Sequence, residues 1–314
     1  MKRALVFPGQ GSQAVGMGQE LAAAFAEARH ALQEVDDALG QNLSRLMKDG
    51  PESELTLTEN AQPALMAVSL ATARVLEKQS GKAFSQLCDV VAGHSLGEYS
   101  ALAAAGALSA ADAARLLKRR GQAMQRAVPV GVGAMAALLG IEVEAAQEAV
   151  VEAAQGEICA VANDNGGGQV VISGHKDAVA RAIEVAKGKG CKRGMMLPVS
   201  APFHCPLMAP AAREMEEALA AVQLAPPRVP LIANVSARAS SDPGTIIAQL
   251  VQQVTAMVRW RETVLHMKSL GIGTLVEVGA GKVLSGLVKR IDKEMTGQAL
   301  NTPADIEAFL KAAI

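Results

Sequence analysis

The chain has 314 residues, half of them hydrophobic and 19% charged, enough for one large domain or two ordinary ones, and this excludes disorder as the main state. Its 30 basic and 31 acidic residues leave a formal net charge of -1, so no broad field gathers nucleic acid or an anionic membrane, and any bound anion must be caught locally. Aromatic residues make up only 2% (one Trp, one Tyr, five Phe), which argues against base-stacking platforms and predicts an aliphatic core.

Residues 4–7 (ALVF) read as a short buried strand. The apolar run stops at Pro8, too short for the hydrophobic region of a secretory signal, so the expected location is the cytoplasm. A Gly-rich turn follows, then a helix whose apolar positions recur through about residue 40. Helical patterns near 60–79 and 109–126 bracket a short apolar strand, Leu87 to Ala92. In the last third, apolar strands near 231–234 and 274–278 alternate with helices. Alternation of this kind predicts a parallel sheet covered on both faces.

The middle reads differently. Residues 133–199 give strand (GAMAALLG), helix (142–155), strand (ICAVAN), strand (QVVISG), helix (176–189) and strand (MMLPV). That order is the split β-α-β, ferredoxin-like unit. Pro129, Gly131 and Gly133 punctuate its entrance and Pro198 and Pro202 its exit. The expected organisation is a large α/β domain, 1–128 and 199–314, with an inserted subdomain, 129–198, and a pocket at the seam. No apolar stretch reaches the length of about 18 residues that a membrane span needs. Cys88, Cys159, Cys191 and Cys205 are scattered without a C-x-x-C pair, so four reduced thiols and no metal are expected.

Gly93-His94-Ser95-Leu96-Gly97 lies directly after the strand ending at Ala92 and before a helical run from Glu98. This is a nucleophile elbow in the context it requires. Small residues on either side let a strand turn sharply into a helix and lift the serine hydroxyl above the sheet. The same turn aims the Leu96 N–H and the helix N-terminus at the place where an oxyanion would form. The competing reading is an ordinary tight turn.

A serine hydroxyl needs a base, and five histidines are available. His30 sits in a charged surface helix, His175 at a helix start and His266 in an amphipathic helix, where structural roles suffice. His94 should point away from the Ser95 hydroxyl. His204 instead lies in Pro198-Val-Ser-Ala-Pro-Phe-His204-Cys-Pro206, a proline-rich apolar loop where the inserted unit returns to the large one. It is the expected general base. Cys205 is its neighbour, but adjacent side chains diverge.

Arg120 falls on the apolar stripe Ala113, Leu116, Leu117 and Met124, while Arg119 lies about 100° away, toward solvent. An inward arginine needs a partner. A substrate carboxylate, held bidentately by the guanidinium, is one reading, and an internal Asp or Glu is the other. Gly9-Gln10-Gly11-Ser12-Gln13-Ala14 matches G-x-G-x-x-A after a strand, but Pro8 and polar Gln10 fit a dinucleotide site poorly. A close-packed turn bringing Gln10 to the rim of Ser95 accounts for the glycines equally well. Gly166-Gly167-Gly168 reads as a hairpin connection.

Together, FPGQGSQ at 7–13, GHSLGEYSA at 93–101, Arg120-Gly121-x-x-Met124-Gln125, APFH at 201–204 and EVGAGKVLSGLVKR at 277–290 resemble the malonyl-CoA:acyl carrier protein transacylase family over almost the whole chain. The resemblance implies a hydrolase-like α/β domain with a ferredoxin-like insertion. It also implies Ser95 as the acylated nucleophile, His204 as its base and Arg120 as the holder of the free malonyl carboxylate. Gln10 and Leu96 would supply oxyanion-hole N–H groups, and Gln253 would orient the histidine through its main-chain carbonyl. Many relatives carry a polar residue and proline where this chain has Ala256-Met257. Leu96 and Phe203 resemble malonyl-using members.

The expected partners are malonyl-CoA and acyl carrier protein, with no nucleic acid, no membrane and no cofactor, and the expected assembly is a monomer. The rival enzyme is a serine hydrolase or thioesterase using the same Ser–His dyad. A non-catalytic docking module for carrier proteins is the rival from another class.

Overall fold

Two sheets organise the chain in the computed structural model, which describes residues 2–199 and 201–313. The strands are β1 (Lys2–Phe7), β2 (Val90–Gly93), β3 (Gly133–Leu139), β4 (Cys159–Asp164), β5 (Gln169–His175), β6 (Arg193–Met196), β7 (Leu231–Ile232), β8 (Ala239–Ser240), β9 (Ile272–Val278) and β10 (Thr296–Leu300). The larger sheet runs β10-β9-β1-β2-β7-β8, parallel throughout except for β8. The smaller runs β4-β5-β3-β6, antiparallel throughout.

β1 shows why the large sheet is covered twice. Strand side chains alternate faces. Leu5 and Phe7 join one apolar cluster, with the helices Ala26–Leu39, Thr58–Ser80 and Ala110–Arg126, whereas Ala4 and Val6 join another, with Trp260, Val264 and Leu284. All four are fully buried. Such strands need apolar residues at every position rather than at alternate ones. The helix Thr58–Ser80 is buried along most of its length, as expected of an element packed on several sides.

The small sheet carries the helices Val143–Ala154 and Lys176–Gly188 on one face, with its own core of Ala136, Leu138, Val170, Ile172 and Ile183. Its strand order is that of a ferredoxin-like unit. The fold is therefore a hydrolase-like parallel-sheet domain with a ferredoxin-like subdomain, as the sequence implied.

Four boundaries differ from expectation, one of them β6, which spans Arg193–Met196 where 195–199 was expected. The helix running to residue 40 is two helices, Gln19–Ala24 and Ala26–Leu39, because Phe25 is extended at φ -127° and breaks the turn. The strand expected from Leu87 begins at Val90, since Phe84–Leu87 wind into a helical turn whose exposed start is held by the Gln86 side chain accepting from the Ala83 N–H. The strand expected near 231–234 has only two residues, after which Asn234 turns inward.

The subdomain is stitched to the large domain at the end of β4. The Asp164 N–H donates to Val258 O and the Val258 N–H to Ala162 O. Asp164 also pairs with Arg261 at 2.7 Å, and the glycines at 166–168 turn the chain back into β5. No helix among the described residues is long and apolar enough to cross a membrane.

Candidate active site

The elbow follows β2, and its glycines are fixed by contact. A Cβ on Gly93 would lie 1.9 Å from the Gly97 carbonyl carbon, and one on Gly97 would lie 2.3 Å from Phe7 O. Ser95 between them takes φ 54°, in the left-handed region, and starts the helix Gly97–Ala104. Its N–H donates to Asn234 Oδ1 at 2.7 Å, while Asn234 Nδ2 donates to Gly93 O at 2.6 Å. The turn is thus clamped from β7.

His204 stands against this hydroxyl. Its Nδ1 lies 2.9 Å from the main-chain oxygen of Gln253, which only accepts, so Nδ1 carries the proton and donates. Nε2 is left unprotonated, 2.8 Å from Ser95 Oγ, and accepts from it. His204 also sits at φ 58° and is 4% exposed. Burial, and after it the Arg120 charge, push its imidazole down to about 3. The ring is therefore a neutral acceptor at ordinary pH. Neighbouring Cys205 turns away, its Sγ donating to Pro202 O.

Arg120 completes the cluster. It is fully buried. Nη2 donates to Ser95 Oγ at 3.1 Å and to Gln253 Oε1 at 2.8 Å, and Nη1 donates to Gln62 Oε1 at 2.9 Å. Among the described residues no carboxylate is paired with it directly, and Nε has no hydrogen-bond partner. Its guanidinium lies 5.8 Å from the centre of the Tyr99 ring. The helix carrying Arg120 can come this close because Gly121 has no side chain, since a Cβ there would lie 2.5 Å from Glu59 Cα. Arg119 points outward to Glu214 and Glu217.

Gln10 and Leu96 line the same cavity, and neither main-chain N–H is used in a protein hydrogen bond among the described residues. The cavity, about 740 Å³, lies between the two units and is further lined by Met124, Met135, Val171, Leu197, Val199 and Phe203. His94 reaches Asn165 of the subdomain at 3.0 Å and lies against the Trp260 ring at a tilt of 54°. His30 and His266 lie on helices and line no part of this cavity, and His175 accepts from the Ile158 N–H. Among the described residues no cluster of His, Cys, Asp and Glu could hold a metal ion.

Four participants escaped the sequence reading: Gln62, Glu98, Asn165 and Asn234. Glu98 is 1% exposed and accepts from the Asn234 N–H and from Gln253 Nε2. Burial pushes its carboxyl up to about 8, against the pull of those donors and of Arg120. A polar residue one turn after the nucleophile, inside an otherwise apolar helix, was the available signal.

The arrangement can activate a hydroxyl, stabilise an oxyanion and hold a carboxylate within a few ångströms of the new ester. The family model described as "Acyl transferase domain" matches residues 4–301. A malonyl CoA-acyl carrier protein transacylase of Escherichia coli K12 is 46% identical over 308 residues, covering 98% of each chain. The crystal structure of an acyl-carrier-protein-S-malonyltransferase from Bartonella henselae superposes with a TM-score of 0.97 at 54% identity, covering 99% of each chain. A type II PKS acyl-carrier protein in complex with its malonyl-transacylase provides another match, with a TM-score of 0.96 at 43% identity over 99% of this chain and 100% of that one. With likeness of this extent laid over the Ser95, His204 and Arg120 cluster, the chain belongs to the acyl transferase family, among the malonyl CoA-acyl carrier protein transacylases.

Proposed function

We propose that this acyltransferase moves a malonyl group from malonyl-CoA to the phosphopantetheine thiol of acyl carrier protein through an ester on Ser95. The single observation that carries the reading is that Arg120 Nη2 and His204 Nε2 meet at the same hydroxyl, at 3.1 and 2.8 Å. The imidazole takes the hydroxyl proton as Oγ attacks the thioester carbon. The N–H groups of Gln10 and Leu96 then face the oxyanion, and His204 returns the proton to the departing coenzyme A sulfur. In the second half the carrier thiol gives its proton to His204 and attacks the ester, and the Ser95 oxygen leaves as it takes that proton back from His204.

Arg120 selects the acyl group. Nε has no hydrogen-bond partner, while both Nη2 donors are taken up by Ser95 Oγ and Gln253 Oε1, so a carboxylate tethered to Oγ takes over the Nη2 contact that the free hydroxyl holds. The 3.1 Å between Oγ and Nη2 suits a short dicarboxylic chain. The proton and electron-pair movements are complete within these residues, so the proposal includes no cofactor. Every group in it comes from one chain, so a monomer suffices for the reaction.

Brief exposure to malonyl-CoA followed by intact-mass measurement and peptide mapping tests the reading. The expected product carries one malonyl group on Ser95, which carrier protein removes faster than water does. Hydrolysis as fast as transfer would make the chain a hydrolase, and no ester on Ser95 would refute both.

A further inference from the structure

We infer that Glu98 is a positioning residue for malonyl selection: its two oxygens fix Asn234 and the Gln253 amide, and so hold Ser95 and Arg120 in register. The inference rests on the role proposed above for Arg120. Glu98 lies one turn beyond Ser95 on the helix Gly97–Ala104 and takes no part in lining the cavity. One oxygen accepts from the Asn234 main-chain N–H, and Asn234 in turn brackets the elbow at Ser95 N and Gly93 O. The other accepts from Gln253 Nε2.

The Gln253 amide has one donor end and one acceptor end, and which end faces Arg120 depends on what lies opposite. Its nitrogen meets three acceptors, Glu98 Oε2, Ser95 O at 2.9 Å and, at 3.4 Å, Asn234 Oδ1, so its oxygen is turned to Arg120 Nη2 at 2.8 Å. Its main-chain oxygen meanwhile receives the His204 proton. The buried carboxylate, together with the Ser95 main-chain oxygen, therefore sets the direction of the hydrogen bonds running to the arginine. Burial raises the carboxyl to about 8, whereas the Asn234 N–H, Gln253 Nε2 and the Arg120 charge favour the ionised form that this role needs, so the preference is to be measured above pH 8.

Glu98→Gln separates this role from mere packing. The Asn234 N–H is main chain and cannot turn, so the new amide gives it the oxygen and presents NH2 to Gln253. That is donor against donor. Relief comes from a shift of the Gln253 side chain or from rotation of its amide, and either breaks the bond to Arg120 Nη2 while the contact between His204 and the Gln253 main chain is untouched. We expect KM for malonyl-CoA to rise at least about tenfold and the malonyl-over-acetyl preference in Ser95 ester formation to fall at least about tenfold. Acetyl transfer should fall much less. Glu98→Asp, which keeps two acceptors, should retain the preference even at a lower melting midpoint.

Parallel loss of malonyl and acetyl transfer in proportion to a lower melting midpoint, or an unchanged preference, overturns the inference. Should Glu98→Gln fail to fold, the exchange variant Glu98→Gln with Gln253→Glu is the test, because it restores an acceptor facing Arg120. A folded, malonyl-preferring exchange variant supports the inference, and a folded one without preference overturns it. Wild-type enzyme that forms no malonyl ester on Ser95 would sink the proposed function itself, a separate outcome.

Discussion

Arg120 sits wholly buried with amides and a hydroxyl for partners, so its effect should be read in selectivity rather than in speed. Arg120→Ala should lower malonyl over acetyl preference by roughly ten- to hundredfold, the loss of a charged hydrogen bond of about 1.5–3 kcal/mol, measured by competition between the two thioesters. His204 permits a second expectation. Its ordinary value is 6.5 and burial lowers it to about 3 in the folded chain. Below pH 6.5 the unfolded chain takes up a proton that the folded one refuses, so the stability due to the neutral ring is lost as pH falls toward about 3, by about 1.4 kcal/mol per unit. Urea unfolding of wild type and His204→Gln at pH 7 and pH 4.5 should show their difference shifting toward the variant by on the order of 2–3 kcal/mol. Ser95, His204 and Arg120 were legible because each stands in a local pattern, an elbow, a proline-rich loop and an apolar stripe, whereas Gln253 came only from the family resemblance. Asn234 was not legible, since the Ser95 N–H it accepts from is 139 residues away and no local rule marks it.

The helix Ala110–Arg126 shows what elements contribute. It starts at Ser109, whose hydroxyl accepts from the Asp112 N–H, and its apolar stripe lies against Thr58–Ser80 through the gap at Gly121. Gly121→Ala puts a methyl 2.5 Å from Glu59 Cα, and main chain cannot yield as a flexible side chain would. Overpacking of this kind costs about 1–3 kcal/mol, and the helix can escape only by moving Arg120 away from Gln62 and Ser95. The expected outcome is a lower urea midpoint together with a raised KM for malonyl-CoA. Periodicity predicted this helix to within one residue, because one face is buried and one wet. It joined the helices on either side of Phe25 and started β2 too early, because a break in main-chain direction leaves no mark on apolar spacing.

At the scale of the molecule, the two units meet along the end of β4, where Asp164, 3% exposed in its side chain, pairs with Arg261. Removing one partner of such a pair leaves the other short of a counter-charge. Asp164→Asn should therefore loosen the seam, raising KM for both thioesters while their ratio is kept, since Arg120 lies on the other side of the cavity. Steady-state kinetics with malonyl-CoA and acetyl-CoA check this against the opposite pattern expected for Arg120. The ferredoxin-like order was legible, being a sequence of alternating periods. Pairing across the seam was not, because Ala162 and Val258 are far apart in sequence and no local pattern marks either as a partner of the other.

Ser95 and His204 share an unusual backbone posture, at φ 54° and 58°. A side chain in that region is unfavourable by about 1–2 kcal/mol, and only surrounding contacts keep it there. Glycine would relax both places. Ser95→Gly should consequently melt higher than Ser95→Ala, and a catalytically dead form can outlast heating that inactivates the working one. Variants selected for thermal endurance alone would drift toward silence at these two positions.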